Sequence, residues 1–202
     1  MPTKMNNRIN NLAKISGLVV LFFLLINSTH AQVKYQNGGV AKVAIDGTSN
    51  IHDWTMNSDK ATCTGTFTIG SNNALTAVTG LGFAINVESL KSEHKAMDKN
   101  TYKAMNTDKY PTITFTAATA TVKPAGGTNY TVTAHGKLTI SGTTKEIDVT
   151  ATCTVNADKS VSCNGSYKLN MTQYNVTPPS IMFGMIKVGD PITVRFSFVI
   201  KP

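Results

Sequence analysis

From Tyr130 to Ile140 apolar or small residues alternate with polar ones: Tyr130, Val132, Ala134, Gly136, Leu138 and Ile140 against Thr131, Thr133, His135, Lys137 and Thr139. A period of two puts each set on its own side of an extended chain, so the segment is predicted to be a strand with one buried face. The alternation returns in Ile147, Val149, Ala151, Cys153 and Val155, in Val161, Cys163, Gly165, Tyr167, Leu169 and Met171, and in Ile192, Val194, Phe196, Phe198 and Ile200. The first half carries it in Cys63, Gly65, Phe67 and Ile69, in Leu81, Phe83, Ile85 and Val87, and in Ile113, Phe115 and Ala117. Ahead of these stand Ala41, Val43 and Ile45, then a segment with His52, Trp54 and Met56 on one side. Turn-forming clusters separate the strands: Ser71-Asn72-Asn73, Pro124-Ala125-Gly126-Gly127, Ser141-Gly142 and Asn156-Ala157-Asp158. Eight or nine such strands with short connections form an all-β domain, which must close into a barrel or split into a sandwich to manage its edges.

One segment breaks the pattern. Residues 92–106 hold few β-branched side chains and place His94, Met97, Thr101 and Met105 at helical spacing, which predicts a short helix across one barrel end. Ser92 is the expected N-cap, although Lys95 stands where a capping-box acid would. An i, i+4 hydrogen bond between the His94 and Asp98 side chains is expected to tie down the helix start. Pro111 opens the next strand, at a position where a ladder N–H is dispensable.

The chain begins with Lys4, Arg8 and Lys14 and no acid, followed by an apolar run over residues 15–26 and then Asn27-Ser28-Thr29-His30-Ala31. Basic region, short apolar run and small residues at the −3 and −1 positions predict a signal peptide over residues 1–31, cleaved before Gln32. The apolar run is twelve residues, against the roughly 20 needed to span a bilayer. The mature protein, residues 32–202, is expected to be periplasmic or secreted, not membrane-spanning, and large enough for one domain. Removing those three basic residues lowers the formal net charge from +8 to +5. The remaining lysines are scattered among Thr and Asn, without the basic stripe and interleaved aromatics of a nucleic-acid site, so no nucleic-acid partner is expected.

The run Ser89-Leu90-Lys91-Ser92-Glu93-His94-Lys95-Ala96-Met97-Asp98, followed by Asn106-Thr107-Asp108-Lys109-Tyr110-Pro111 and Ile113-Thr114-Phe115, resembles the central signature of the YceI-like family. Gly136-Lys137-Leu138-Thr139-Ile140-Ser141-Gly142-Thr143-Thr144-Lys145-Glu146-Ile147 resembles that family's next hairpin, and the likeness runs through nearly all of the mature chain. The resemblance implies an eight-stranded antiparallel lipocalin-like β-barrel whose cavity takes a polyisoprenoid or a similar fatty lipid, with no cofactor and no catalysis. Its expected wall is Trp54, Met56, Phe67, Phe83, Ile85, Met97, Met105, Phe115, Val132, Leu138, Tyr167, Leu169, Phe183, Phe196 and Phe198, with the helix and the loop after Pro178 as its rim. Two stretches depart from the family pattern: residues 47–54, and the apolar, Met-containing loop at residues 177–186.

Other chemistries compete for the same residues. The inward faces mix large side chains with very small ones such as Gly65, Ala134, Ala151 and Gly165, which equally suits a filled barrel serving as a secreted interaction module. The Thr-rich outward faces, Thr62 to Thr68 and Thr150 to Thr154, suit either a partner surface, a homodimer included, or a solvated sheet. His52, Asp53 and His94 could gather as metal ligands or an acid/base pair, though His135 faces away from them and zinc asks for three or four ligands. No nucleophile triad, phosphate loop or paired-carboxylate motif is present. The three cysteines share inward parity. Hairpin pairing sets Cys153 opposite Cys163, within disulfide reach, and leaves Cys63 buried and free; three buried thiols are the other arrangement.

Overall fold

The computed structural model describes residues 33–37, 41–70 and 72–201. The strands are β1 (Val33–Asn37), β2 (Ala41–Ser49), β3 (Asp53–Ile69), β4 (Leu75–Asn86), β5 (Thr112–Pro124), β6 (Asn129–Ile140), β7 (Thr143–Val155), β8 (Val161–Asn170), β9 (Ser180–Ile181) and β10 (Ile186–Lys201). A helix, α1 (Lys95–Met105), and two 3-10 turns, Val87–Ser89 and Met171–Tyr174, lie in the connections. The residues assigned to the signal peptide and the new terminus at Gln32 lie outside those described.

The strands form an eight-stranded closed antiparallel barrel. β1 and β2 act as one interrupted stave, because β1 pairs the far half of β3 (Val33↔Phe67) and β2 its near half (Ala41↔Ala61 to Thr48↔Asp53). From β2 to β8 each strand pairs with the next, and β10 closes the ring by pairing both β8 and β2. The two-residue β9 pairs β10 alone, outside the ring. Closure removes the sheet edges that would otherwise invite pairing with other chains. The seam between the first and last staves is fastened outside by Arg195, whose Nε and Nη2 donate to the Asp46 carboxylate at 2.5 and 2.9 Å. This bidentate pair holds the Asp46 carboxyl below its usual range.

Three bulges change which residues face inward. Between Val43↔Ser58 and Ala41↔Ala61 the register gains a residue on β3, so the inward set passes from Met56 and Ser58 to Ala61, Cys63 and Phe67. The two segments expected around Trp54 and Phe67 are therefore one 17-residue strand. On β4 the register slips between Thr66↔Thr79 and Thr64↔Gly82, where Gly80 takes φ +60, a left-handed backbone that a side chain would oppose. On β5 it slips between Thr116↔Lys137 and Ala120↔Ala134, moving the inward phase from Ala117 to Ala120. Each bulge bends and tightens the twist of its strand, as closing a narrow barrel requires.

Helix α1 starts two residues later than expected. Its N-cap is His94, not Ser92, and the expected His94–Asp98 side-chain bond is replaced. The Asp98 Oδ1 accepts from the backbone N–H and the hydroxyl of Ser92, both at 2.8 Å, while His94 offers its backbone carbonyl to the Asp98 N–H. A carboxylate takes two donors from one folded-back residue more readily than one from an imidazole across a helical turn, and it is buried in doing so. Along the helix, Thr101 Oγ1 donates to Met56 Sδ at 3.3 Å, Tyr102 Oη to Leu90 O at 2.8 Å, and Ser141 Oγ to Met105 O at 2.9 Å. These anchors on β3, the β4 exit and the β6–β7 turn lay α1 across one end of the barrel.

Candidate ligand-binding cavity

Inward side chains of all eight staves surround a cavity of about 220 Å³. Its wall runs from Val132 to Ile140 on β6 and from Cys163 to Leu169 on β8, roughly 20–26 Å along the strands at ~3.3 Å per residue. One end is plugged by a tight cluster that includes Phe67, Leu75, Val78, Tyr130, Val155, Val161 and Ile200. The other end is roofed by α1 through Thr101 and Met105, and by Tyr174 and Val176 of the segment after β8. The space is thus long and narrow.

Small residues make the hollow by letting aromatic rings lie flat against the backbone. A Cβ on Gly165 would stand 2.3 Å from the Phe196 ring and 2.8 Å from Thr150 O; one on Gly136 would stand 2.4 Å from Thr116 O and 2.7 Å from the Phe115 ring. Gly136→Ala and Gly165→Ala are each expected to cost about 1–3 kcal/mol through overpacking, read as a lowered denaturant midpoint.

Among the described residues no Asp, Glu, Lys, Arg or His lines the cavity. Of the polar groups that do, Tyr174, Cys63 and Cys163 are shifted towards their neutral forms. Burial, then the neighbouring Tyr167, pushes the Tyr174 phenol up to about 12. Burial, then Cys153, does the same for the Cys63 thiol, also to about 12. The Cys163 thiol is raised by its contact with Cys153 and then by burial. A thiol reacts as its thiolate, so Cys63 is expected to resist iodoacetamide at pH 8 in the folded protein and to be alkylated once unfolded, as mass spectrometry would read. The wall can hold an apolar chain by contact.

Of the expected wall, Phe67, Phe83, Ile85, Met105, Phe115, Val132, Leu138, Tyr167, Leu169, Phe196 and Phe198 line the cavity. Four residues lie elsewhere. Met56 is buried beneath α1, Met97 packs on the same cluster from above, and Trp54 lies over Gly47 with its Nε1 donating to Thr48 O at 3.0 Å. Phe183 is fully exposed, because Met182 and Phe183 both take left-handed backbone (φ 53 and 56) and turn their hairpin outward. Leu90, Tyr174 and Val176 line the cavity from connections where no strand period marks them, and Thr101 lines it from the helix expected at this end.

The described histidines His52, His94 and His135 are apart in the fold. His52 Nδ1 lies 2.8 Å from Asp53 O in the β2–β3 turn, His94 caps α1, and His135 pairs with Asp148 at 2.8 Å on the outer face of β6. Cys153 and Cys163 are directly paired on β7 and β8, their sulfurs 2.7 Å apart as separate thiols. Asn156 N–H donates to Ser160 O, so by alternation the pair three steps further in, Cys153 with Cys163, is a non-hydrogen-bonded one, where opposed side chains come closest.

Solved structures share this architecture. BcnA of Burkholderia cenocepacia is 20% identical with a TM-score of 0.61, covering 80% of this chain and 96% of its own. A polyisoprenoid binding domain from Saccharophagus degradans, implicated in plant cell wall breakdown, is 12% identical with a TM-score of 0.63, covering 83% and 97%. The YCEI protein of Campylobacter jejuni is 17% identical with a TM-score of 0.52, covering 71% and 82%. At such identities the likeness is one of fold. No curated protein matches the chain. The family model for the YceI-like domain matches residues 25–200, and with the barrel, its helical roof and its charge-free cavity in view, this chain belongs to the YceI-like family.

Proposed function

We propose that the protein binds a polyisoprenoid, or a lipid with a similarly long apolar chain, inside the barrel, and that it carries or stores this ligand after export from the cytoplasm. The observation that carries the reading is the continuous, charge-free space of about 220 Å³. A packed interior leaves few voids larger than a water, which needs only about 10–15 Å³. At ~24 cal/mol per Å³, a void of this size left empty would cost on the order of 5 kcal/mol, which an occupying apolar chain would offset. A filled barrel would need side chains where the structure has none. The long, narrow shape favours a linear chain over a compact ring system. Binding rather than catalysis is the reading supported by a wall that, among the described residues, carries apolar side chains, thiols and phenols but no acidic or basic one.

Support for export comes from the N-terminal pattern at residues 1–31, and an oxidising destination would allow Cys153 and Cys163 to join. Among the described residues no helix is long and apolar enough to cross a membrane. Titration of delipidated protein with radiolabelled polyprenols of increasing length tests the reading. Saturable one-to-one binding with an optimum chain length is expected; uptake that is unsaturable, or equal for bulky sterols, would overturn it.

A further inference from the structure

Among the described residues the exposed large hydrophobics are Ile51, Met182, Phe183 and Met185, and all four sit on two adjoining turns. Three belong to the tip of the β9–β10 hairpin, and Ile51 to the β2–β3 turn. Asn50 locks the two together: its Nδ2 donates to Met185 O at 2.8 Å, its Oδ1 accepts from the Lys187 N–H at 2.8 Å, and its own N–H donates to Lys187 O at 3.1 Å. The tip is fixed, and it points outward at a cost, since bulky residues such as Met182 and Phe183 disfavour left-handed backbone. Phe183 is completely exposed, Met182 58% and Met185 62%. Nothing inside the barrel gains from this arrangement.

The position of the tip matters. In an up-and-down barrel β2, β6 and β8 run in the same direction, so the β2–β3 turn, the β6–β7 turn and the exit of β8 lie at one end. That is the end α1 roofs, held to the β6–β7 turn through Ser141 and Met105. Along α1, Lys95, Lys99 and Lys103 recur every four residues and are all exposed, forming one row, while the helix's single acid, Asp98, is buried against Ser92; the exposed acids Glu93 and Asp108 flank the helix. Lys187 adds an exposed positive charge at the base of the hairpin.

We infer that this end of the barrel docks on a lipid bilayer containing anionic headgroups, with Phe183, Met182 and Met185 entering the interfacial layer and the Lys95–Lys99–Lys103 row facing the headgroups. An exposed aromatic and thioether tip beside lysines is the chemistry by which a protein lies on a membrane without spanning it. The inference builds on the lipid-binding reading, because it brings the roofed end of the cavity to the place where such a ligand resides.

The test is co-sedimentation of the mature protein with vesicles of phosphatidylcholine alone or with a quarter phosphatidylglycerol, beside polyprenol binding measured without vesicles. Wild type is expected to favour the anionic vesicles. The double substitution Phe183→Ser with Met185→Ser is expected to lower its partition at least about tenfold. Lys95→Gln, Lys99→Gln and Lys103→Gln together are expected to remove the preference for phosphatidylglycerol. Both variants should bind polyprenol as wild type does, so that a failure of the cavity reading is separated from a failure of docking. Absence of wild-type binding to either vesicle, or unchanged partition of the tip variant, would overturn the inference. So would a wild-type dimer in sedimentation velocity that the tip variant abolishes, since the tip would then be covered by a second copy.

Discussion

Ala134→Phe is expected to leave the barrel folded and to abolish retention of an isoprenoid chain. Ala134 lines the cavity on β6, opposite Val149 on β7 and Ala120 on β5, and faces open space rather than a neighbouring backbone. A phenyl ring there would take up the bore of a narrow tube in its half nearer the plugged end. The overpacking cost is about 1–3 kcal/mol, within what a domain of this size tolerates. Gly136, one inward position along the same strand, is a poorer site for this experiment, because any side chain there meets Thr116 O and the Phe115 ring before it reaches the cavity. His135→Phe, on the outer face between the two, is the control and should leave binding unchanged. The measurement is bound polyprenol per mole of folded protein, with folding checked by far-UV circular dichroism.

Oxidation of Cys153 and Cys163 to a disulfide is expected to raise the melting temperature by roughly 6–12 °C, and Cys153→Ala to remove that gain. The pair needs no backbone movement to approach: the residues are opposed in register with their sulfurs 2.7 Å apart. Closing a loop this short removes unfolded-state entropy worth about 3 kcal/mol, which at ~2–4 °C per kcal/mol gives the stated range. Peptide mapping without reduction should find Cys153 joined to Cys163. A link from Cys63 to either would contradict the strand register, and equal melting temperatures with and without reductant would contradict the pairing.

The parts of the fold legible in the sequence are those where one physical rule acts alone. β6 to β8 and the core of β10 show an unbroken period of two because one face of each meets the cavity and the other meets water. The loss of that period over residues 92–106 marks α1. Legibility ends where two rules meet. At the bulges near Lys60, Gly80 and Ala118 the inward phase changes mid-strand, so the alternation visible in the sequence stops at Leu81 and at Ala117 although the strands continue. Tyr174 and Val176 close the cavity from a 3-10 turn and its exit, where burial follows from tertiary placement and leaves no local pattern. Phe183 shows the converse: an aromatic in an apolar loop reads as wall, and only the two left-handed residues at the hairpin tip turn it to the outside. The Ser92, His94 and Asp98 triplet is visible as a helix start, but which of the two neighbours the carboxylate takes depends on the path of the chain leaving Leu90.

The claim on which the rest depends is that the barrel is hollow and occupied by an apolar chain. Native mass spectrometry of protein purified without detergent, repeated after organic extraction, tests it most directly. The account predicts a single non-covalent adduct per barrel that disappears on extraction, is recovered in the organic phase as a long-chain isoprenoid, and is absent from Ala134→Phe. Protein that carries no adduct, and takes up none when offered polyprenol, would contradict it.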